Sequence, residues 1–383
     1  MKTSRCEHKM RSIAIYLMRL GLNVIYFFLK LLPTDADKVV FLSRQSDKIP
    51  RDFVMIQDEL KKNKQNIKMV TICHRLEGET SGGIQGILSF AESTLKSMYH
   101  MATARVCVLD AYWPAVSILH HKKSLTVIQL WHALGKIKQS GYQTLGKESG
   151  RSAKMAALMK MHRNYDYIIA GGKAWNPFYC KSFDTTEDKL VNCGLPRIDY
   201  LLATAESNKK NVLDAYPEFK EKKVILYAPT FRKNIALQWE PLAEEIAGQS
   251  EYVMIIKGHP NQQIHCSMPG VYECPEFQSA ELLSSCDYLI TDYSAIAIEG
   301  AILNRPTYYF VYDYEEYRAK NGMNIDLFEV MPGCVFRSAA DLMEALKKET
   351  YNQQALDEYR ARFLPEHLGT STAQIAGLIL KNM

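Results

Sequence analysis

The sequence lacks the short motifs that identify several large enzyme classes. It has no Walker loop and no G-x-G-x-x-G fingerprint, so the nucleotide sites built on those loops are not indicated. Its nine cysteines are scattered, with no C-x-x-C pair and no His/Cys cluster at zinc spacing. This pattern excludes a disulfide framework and a structural zinc site, and it favours a reducing compartment.

The composition also lacks any strong bias. Hydrophobic residues make up 47% of the chain, charged residues 23%, and the net charge is only +5. These values are typical of a globular protein rather than a disordered one. No aromatic-rich basic groove accompanies the positive charge, so we do not expect nucleic acid as a partner. A chain of 383 residues exceeds what one hydrophobic core usually fills, which predicts two domains.

An apolar run near the N-terminus, Ser12–Leu32, bears on membrane association. No secretory cleavage site follows it, and its length would just span a bilayer. On a helical wheel Ser12, Arg19, Asn23 and Lys30 form one narrow polar stripe. Two cations within a span would be costly, so the pattern favours a helix in the headgroup plane, with Arg19 and Lys30 meeting anionic lipid. A helix packed in the protein's own core and a true span are the alternatives.

A second basic stretch covers residues 147–163 and has a partly helical apolar pattern. It predicts either a face for anionic lipid headgroups or a diphosphate, or simply a solvated basic helix. The residues assigned to the membrane surface here are Arg151, Lys154, Lys160 and Arg163.

Strands and helices alternate along the rest of the chain. Strands are predicted at residues 38–42, 68–72, 105–109, 125–130, 167–170, 224–228, 252–256, 288–290 and 307–311. Helices are predicted at residues 52–62, 89–102, 175–183, 199–205, 339–348, 353–362 and 371–380. Helix 199–205 and the polar segment 206–211 form the predicted linker region.

This alternation predicts an α/β fold of two Rossmann-like domains facing across a cleft. The predicted units are a membrane-associating helix at 1–35, an acceptor domain at 36–205 and a nucleotide-binding domain at 206–383. The last helices are left free to pack back on the first domain.

Polar side chains follow four of the predicted strands. In parallel α/β sheets ligands bind outside the carboxyl ends of the strands, so these side chains predict one composite site. A lone histidine at a strand end is often structural, but the repetition at one edge favours a ligand. The residues are His132 and Lys136; Thr230 and Arg232; Lys257, His259 and Asn261; and Thr291, Asp292 and Ser294.

The turn at 291–294 has the features of a phosphate site. It places backbone N–H groups and small hydroxyls where a helix begins. Ser294 is predicted to cap that helix while offering its hydroxyl to a ligand. An ordinary capping segment is the alternative interpretation, for Asp292 in particular.

Four segments together resemble a known family, the CDP-glycerol glycerophosphotransferases of teichoic-acid synthesis. They are Trp-His-Ala-Leu-Gly-Lys at 131–136, Pro-Thr-Phe-Arg at 229–232, Lys-Gly-His-Pro at 257–260 and the block 287–322. The resemblance covers roughly residues 125–335. It implies a fold of the glycosyltransferase B type, bound as a peripheral, monotopic protein to the cytoplasmic face of the membrane. It also implies transfer of glycerol phosphate from CDP-glycerol to a lipid-linked acceptor, with release of CMP.

The chain departs from the family pattern at the first histidine. Polymerising members usually read Trp-His-Gly-Thr-Pro-x-Lys there, whereas this chain reads Trp-His-Ala-Leu-Gly-Lys. The departure, the length and the absence of an added domain resemble the priming subgroup, which adds the first unit to a disaccharide on undecaprenyl diphosphate. Ribitol phosphate or another polyol phosphate stays open as the transferred group, as does polymerisation. Other enzymes of cell-wall polymer synthesis are candidate partners.

Chemistry and resemblance together assign roles to the strand-end residues. A neutral imidazole suits proton abstraction, so His132 is predicted as general base and His259 as the group that contacts the diphosphate. Lys257 and Arg232 are the available cations. Hydroxyls of Thr230, Thr291 and Ser294 are predicted to hold phosphate oxygens, and Glu299 the ribose hydroxyls. Further substrate-binding residues are predicted at Gly135, Lys136, Gly258, Asn261 and Asp292.

No metal or cofactor is expected from the sequence. It shows no paired carboxylates set for a metal, although Asp292 and Asp313 could bind Mg²⁺ through water. Two other function classes stay open. One is a nucleotide-sugar glycosyltransferase, which would release a nucleoside diphosphate, and the other is a membrane adaptor without catalysis.

Overall fold

A computed structural model describes residues 2–75, 83–232, 238–258 and 264–383. Within these ranges the chain forms two parallel sheets of six strands each. The strands of the first sheet are β1 Lys38–Ser43, β2 Lys68–Cys73, β3 Val106–Leu109, β4 Thr126–Gln129, β5 Tyr167–Ala170 and β6 Leu190–Asn192. Those of the second are β7 Lys223–Tyr227, β8 Tyr252–Ile256, β9 Val271–Tyr272, β10 Tyr288–Thr291, β11 Thr307–Phe310 and β12 Val335–Phe336.

Helices connect the strands, as parallel pairing requires. In chain order they are α1 Lys2–Leu29, α2 Arg51–Asn63, α3 Gly83–Thr103, α4 Pro114–Ile118, α5 Ala153–Leu158, α6 Asn176–Phe183, α7 Pro196–Ala215, α8 Glu240–Ala247, α9 Ser279–Ser285, α10 Ile296–Ile302, α11 Tyr314–Asn321, α12 Leu327–Val330, α13 Ala339–Lys347, α14 Gln353–Phe363 and α15 Ser371–Lys381. Short 3₁₀ turns lie at Gly141–Thr144, Lys173–Trp175, Glu187–Lys189 and Pro217–Glu221.

Both faces of the second sheet are covered. Along β7, Ile225 and Tyr227 belong to one buried apolar cluster, whereas Val224 and Leu226 belong to another. Successive side chains of a strand point to opposite faces, so each cluster lies on its own side of the sheet. This explains why the strands read as continuous apolar runs.

Each sheet has one place where its strand order reverses. The first sheet runs β2-β1-β3-β4-β5-β6, and the second runs β9-β8-β7-β10-β11-β12 when taken from its β9 edge. The connections therefore diverge between β1 and β3 in the first sheet and between β7 and β10 in the second. In open α/β sheets such divergence leaves a crevice at the carboxyl ends of the strands, which is where ligands bind.

The predicted linker is part of a long helix. The polar segment 206–211 lies inside α7, which continues from Pro196 to Ala215. Asn208 and Val212 within it are buried, and α7 packs against α2 at its start and against α9. The connection between the two sheets is thus a helix with apolar anchors on both sides, not an irregular polar segment.

The last two helices return to the first sheet. The ring of Phe363 in α14 lies 4.4 Å from that of Trp175, whose Nε1 donates to the Phe363 carbonyl at 3.0 Å. Ser371 at the start of α15 donates its hydroxyl to the Cys193 carbonyl at 2.6 Å, and α15 packs along α2. Helix α15 therefore belongs by its packing to the first half, whereas α14 packs against both halves, through Trp175 and through α10.

Helix α1 presents its polar stripe to the protein. Arg19 Nη1 donates to the Leu158 carbonyl at 2.5 Å, and Asn23 Nδ2 donates to the Ile118 carbonyl at 3.2 Å. Lys30 is half-buried, with its Nζ 6.0 Å from the Tyr26 ring. In this structure Arg19 contacts the protein, because carbonyls at the ends of α4 and α5 accept hydrogen bonds from the stripe, and its contact with lipid stays a prediction.

The outward side of α1 is apolar. By length and hydropathy alone Ser12–Leu29 would suffice to cross a bilayer, and only 6% of it is buried. Exposed large apolar side chains between residues 10 and 32 are Met10, Ile13, Tyr16, Leu17, Met18, Leu20, Val24, Ile25, Phe27, Phe28, Leu31 and Leu32.

The second basic stretch is mostly irregular. Its helix, α5, spans only Ala153–Leu158. Arg163 pairs with Asp184 at 2.9 Å, and Lys160 Nζ lies 3.4 Å from His120 Nε2. Lys154 is exposed, as a residue at a membrane surface would be.

Candidate active site

Two adjoining cavities lie at the carboxyl ends of the strands. The smaller, of about 430 Å³, is lined by three carboxylates, so we call it the carboxylate cavity. The larger, of about 830 Å³, is lined by four cations, and we call it the basic cavity. Five residues line both: Gln45, Trp131, His132, Pro229 and Ser294. They follow strands of both sheets, so the two divergence points contribute to one site.

His132 lies where the two cavities meet. Its Nδ1 is 3.1 Å from the Asp110 backbone carbonyl. A carbonyl oxygen can only accept, so Nδ1 carries the proton and Nε2 keeps its lone pair. Nε2 has no hydrogen-bond partner within the described ranges. Burial lowers the pKa of His132 to about 4, so the ring is neutral at pH 7.

A strained turn aims His132 at that carbonyl. Trp131 has φ = 63°, in the left-handed region that large side chains rarely adopt. The buried Gln129 holds the turn from both sides, because its Oε1 accepts from Trp131 N at 2.9 Å and its Nε2 donates to the Ala111 carbonyl at 3.3 Å. The Trp131 and His132 ring centroids are only 4.1 Å apart, which fixes the imidazole further.

Asp110 is a second titratable group in the carboxylate cavity. It follows β3 directly and is buried. Burial raises the pKa of its carboxyl to about 6, although the Ser43 hydroxyl at 2.6 Å and Arg44 N at 3.1 Å donate to it. The divergence point of the first sheet, between β1 and β3, is not among the four strand ends from which the site was predicted. The same strand-end rule, applied to β1 and β3, identifies Asp110 and Arg44.

An ion network joins the two halves across the carboxylate cavity. Arg197 in α7 donates to Asp52 in α2 through Nη2 at 2.5 Å and Nε at 3.0 Å. Its Nη1 lies 3.6 Å from Glu299 Oε1 in α10. Burial raises the pKa of Glu299, which is half-buried and lines the cavity, and its predicted contact with ribose stays a prediction. No motif in the sequence marks Asp52 or Arg197.

Lys257, Gly258 and Ser294 also lie in the carboxylate cavity. Lys257 Nζ donates to the Cys274 carbonyl at 3.0 Å, and burial lowers its pKa. The Ser294 hydroxyl lies 3.5 Å from Ile296 N, and the N-cap of α10 is Ala295. Ser294 is therefore one residue outside the position predicted for a cap; its oxygen accepts from Ile296 N, and its O–H can still donate to a ligand.

Arg232 binds two carboxylates of the protein and so has a structural role. Its side chain is fully buried between two carboxylates, with Nε 2.6 Å from Asp313 Oδ2, Nη2 3.0 Å from Asp313 Oδ1 and Nη1 2.6 Å from Asp292 Oδ2. The guanidinium makes a bidentate contact, but its partner is Asp313 rather than a diphosphate. Asp292 also accepts from Thr230 N at 2.9 Å, so it organises the turn instead of facing a ligand.

Thr291 and Thr230 differ in whether their hydroxyls are available to a ligand. Thr291 is fully buried and donates its hydroxyl to the Ala228 carbonyl at 2.7 Å, which ties β10 to the end of β7. Thr230 lines the basic cavity, and its Oγ1 has no hydrogen-bond partner in the described ranges. Only Thr230 is placed to contact a ligand.

Gly135 and Lys136 pack behind the site and line neither cavity. A Cβ at Gly135 would lie 2.6 Å from the Trp175 ring and 2.7 Å from Ile298 in α10. Lys136 is buried, with Nζ 3.9 Å from the Trp131 ring centroid and 3.0 Å from Ser140 Oγ. Both support the loop that carries His132, and neither reaches a substrate directly in this structure.

Two predicted residues, His259 and Asn261, lie outside the described residues. Their roles stay predictions. Within the described ranges, no three or more His, Cys, Asp or Glu side chains gather in a way that could hold a metal ion. Asp292 and Asp313, the carboxylates considered for Mg²⁺, both bind Arg232.

Known proteins resemble this chain in sequence. It is 29% identical over 386 residues to the teichoic acid poly(ribitol-phosphate) polymerase of Bacillus spizizenii, covering 95% of this chain but 60% of the relative. It is 28% identical to the teichoic acid ribitol-phosphate primase of that organism, over 91% of this chain and 92% of the relative. Identity to the teichoic acid glycerol-phosphate primase of Bacillus subtilis is also 28%, over 74% of this chain and 76% of the relative.

Solved structures show the same fold. A variant of the wall teichoic acid polymerase TagF soaked with CDPG superposes with a TM-score of 0.73 at 19% identity, covering 100% of this chain and 98% of that one. The UDP-GlcNAc 2-epimerase from Neisseria meningitidis gives 0.57 at 15% identity, covering 90% and 100%. The sequence model described as CDP-Glycerol:Poly(glycerophosphate) glycerophosphotransferase matches residues 24–381. With nearly the whole chain matched, the protein belongs to the CDP-glycerol:poly(glycerophosphate) glycerophosphotransferase family.

Proposed function

We propose that this protein transfers a polyol phosphate, in the first place glycerol phosphate from CDP-glycerol, to a lipid-linked acceptor of teichoic-acid synthesis. The acceptor is a disaccharide on undecaprenyl diphosphate, and CMP is released. One observation carries the proposal: an imidazole with a free Nε2 lies at the junction of two cavities of different charge. A junction of this kind suits a base that must touch two substrates at once.

The reaction assigns one substrate to each cavity. The donor nucleotide lies in the carboxylate cavity, where Glu299 accepts from ribose hydroxyls and Ser294 and Lys257 meet the diphosphate. His132 Nε2 takes the proton of the acceptor hydroxyl, whose oxygen bonds to the phosphorus that carries the polyol. The bond from that phosphorus to the bridging oxygen breaks, and CMP leaves with the electron pair. Lys257, with the predicted His259, neutralises the leaving phosphate.

The two-sheet architecture supports a fold of the glycosyltransferase B type. The carboxylate cavity receives residues from β1, β3 and β4 on one side and from β7, β8 and β10 on the other. We infer that these two edges are the walls of the predicted cleft. We propose that residues 36–205 supply most of the acceptor contacts and that residues from 206 onward supply most of the donor contacts.

Donor choice is tested by incubating the purified protein with CDP-glycerol or CDP-ribitol and a soluble analogue of the lipid-linked disaccharide. We expect CMP release and a product heavier than the acceptor by one polyol phosphate. Ribitol phosphate is the second candidate, because alignments to the ribitol-phosphate relatives cover 91% and 95% of this chain against 74% for the glycerol-phosphate primase. No CMP from either donor, with nucleoside diphosphate released from a nucleotide sugar, would contradict the proposal.

We also propose that α1 attaches the enzyme to the cytoplasmic face of the membrane as a peripheral helix. Its polar stripe binds the protein, so the exposed apolar side is the one left for lipid. Helix α3 packs against α1 and adds Leu88, Leu95 and Tyr99, which are 63%, 47% and 46% exposed. Two adjacent apolar helix faces fit a bilayer surface better than a single span does.

Replacing exposed apolar residues of α1 is expected to weaken membrane binding. Phe27 and Phe28 are 57% and 63% exposed, so Phe27→Gln with Phe28→Gln removes membrane contacts without opening the core. Both rings would be buried in the bilayer when the protein is bound. Losing them is expected to lower binding to anionic liposomes by about tenfold or more in flotation. Leu202→Gln on α7, where Leu202 is 41% exposed, is the matched control and should float like the wild type. Equal flotation of all three proteins would contradict the role of α1.

A further inference from the structure

The basic cavity has an unusual charge pattern. Its described lining includes Arg44, Arg75, Lys138 and Arg151, together with His132 and His162, and it includes no aspartate or glutamate. The adjoining carboxylate cavity is lined by Asp52, Asp110 and Glu299 as well as by Arg197 and Lys257. Several cations lining one cavity create a positive potential that attracts an anionic ligand.

Built contacts hold these cations in place. Arg44 Nη1 donates to the Tyr112 carbonyl at 2.5 Å, and the Arg151 guanidinium lies 5.0 Å from the centre of the Tyr112 ring. Tyr112 is in turn buried, with its hydroxyl donating to the Met159 carbonyl at 2.9 Å. One anchored tyrosine therefore positions two guanidinium groups on the same wall.

A buried hydroxyl points to a ligand independently of the charges. Thr230 is only 6% exposed and lines the basic cavity, yet its Oγ1 lacks a hydrogen-bond partner in the described part of the chain. An unpaired buried hydroxyl costs free energy, so its place in a polar cavity indicates a group that completes it when bound. A phosphate oxygen fits a hydroxyl donor beside cations.

The wall of the basic cavity that carries Arg151 continues toward α1, the helix proposed to bind the membrane. Arg151 immediately precedes α5, and the Leu158 carbonyl at the end of α5 accepts from Arg19 of α1. The apolar side of α1 is exposed on the far side of that contact. A lipid-borne substrate held at α1 would therefore bring its phosphates to this end of the molecule.

We propose that the basic cavity binds the phosphate groups of the acceptor, with Arg151 and Lys138 contacting them and Thr230 donating a hydrogen bond. This inference rests on the proposed function, because it assigns the second substrate of that reaction. The phosphates have two sources, the diphosphate of the lipid carrier or the phosphodiesters of a polyol-phosphate chain. Arg151, assigned from the sequence to the membrane surface, thus acts on the substrate instead.

The test measures binding to the full chain saturated with CMP, which fills the donor site. The probes are geranyl diphosphate, for the lipid diphosphate, and a short glycerol phosphate oligomer, for the polymer. We expect at least one to bind, and Arg151→Gln to weaken it about tenfold or more, the loss of one charge-assisted contact. Lys154→Gln removes the same charge from exposed α5 nearby without touching the cavity, so its affinity should stay within about twofold of wild type.

The outcomes separate the two sources and the two proposals. Tighter binding of the diphosphate or of the oligomer supports the site and identifies its ligand. The inference would be overturned if neither probe binds the CMP-saturated protein, including the case in which CMP displaces a probe that binds without it. It would also be overturned if Arg151→Gln and Lys154→Gln weaken binding equally. CMP release from CDP-glycerol or CDP-ribitol is scored on the same preparation, so absent turnover with intact Arg151-dependent binding would count against the reaction and not against the phosphate site.

Discussion

His132→Ala is expected to lower turnover by about 10²- to 10⁴-fold, the range for losing a general base. The free Nε2 at the junction of the two cavities is the basis for this expectation, because no other described imidazole lines both. The measurement is the rate of CMP release at saturating donor and acceptor. Thermal unfolding should show a folded protein, since the substitution removes a half-buried ring and one hydrogen bond to a backbone carbonyl.

A second variant separates the proton-accepting role from a structural one. Asn in place of His132 keeps an N–H donor for the Asp110 carbonyl but has no basic nitrogen, so His132→Asn should be as inactive as the alanine variant. His120→Ala, at an exposed histidine of the same half, should retain wild-type turnover. Near-normal activity of folded His132→Asn would remove the assignment.

The pH profile adds an independent check on His132. Burial places its pKa at about 4, below the ordinary value, so the base form predominates at every pH above about 5. Protonation at lower pH occupies Nε2 and stops proton abstraction. The acid limb of kcat/KM due to this group is therefore expected well below pH 6.5, and a limb centred at 6.5 or above would contradict it.

Arg232→Met is expected to be the most destabilising single change considered, by about 3–5 kcal/mol. The guanidinium is fully buried, with Asp292 and Asp313 bound on its two edges. Removing it leaves both carboxylates without the guanidinium that neutralises them, whereas the methionine supplies only the lost volume. Chemical denaturation, followed by the free energy of unfolding, measures the effect.

A matched control uses an arginine on the surface. Arg163 pairs with Asp184 at 2.9 Å, but both side chains are more than half exposed. Arg163→Met should cost at most about 1 kcal/mol, because solvent screens an exposed pair. Similar losses for the two substitutions would contradict the interpretation of Arg232 as a buried structural cation.

The positions of the long strands could be predicted from the sequence, whereas the short edge strands could not. The predicted strands 167–170 and 252–256 agree with β5 and β8 to the residue. The two-residue edge strands β9 and β12 are too short to show a periodic pattern, and they form because each pairs with the interior strand beside it, β8 or β11. The parallel α/β class follows from the alternation alone.

Which strand-end side chains face the site could not be read from the sequence. Thr291 and Ser294 are three residues apart in one turn, yet one bonds Ala228 and the other lines both cavities. The direction of Thr291 depends on Ala228, which lies 63 positions earlier, after a neighbouring strand. For the same reason Arg232 met Asp313 instead of a substrate.

The side of α1 that packs against the protein could not be predicted from the sequence either. Its polar stripe follows from a period of 3.6 residues, but the stripe's partners are carbonyls of residues 118 and 158. A local pattern gives the two sides of a helix and does not say which side the rest of the chain will cover.

The return of α14 and α15 to the first sheet has a mechanical consequence. The polypeptide passes between the sheets twice, once through α7 and once between α13 and α14. Two crossings define a line, and we expect an opening that admits or releases nucleotide to rotate the two halves about that line. The hinge would then be set by where the backbone passes from one sheet to the other.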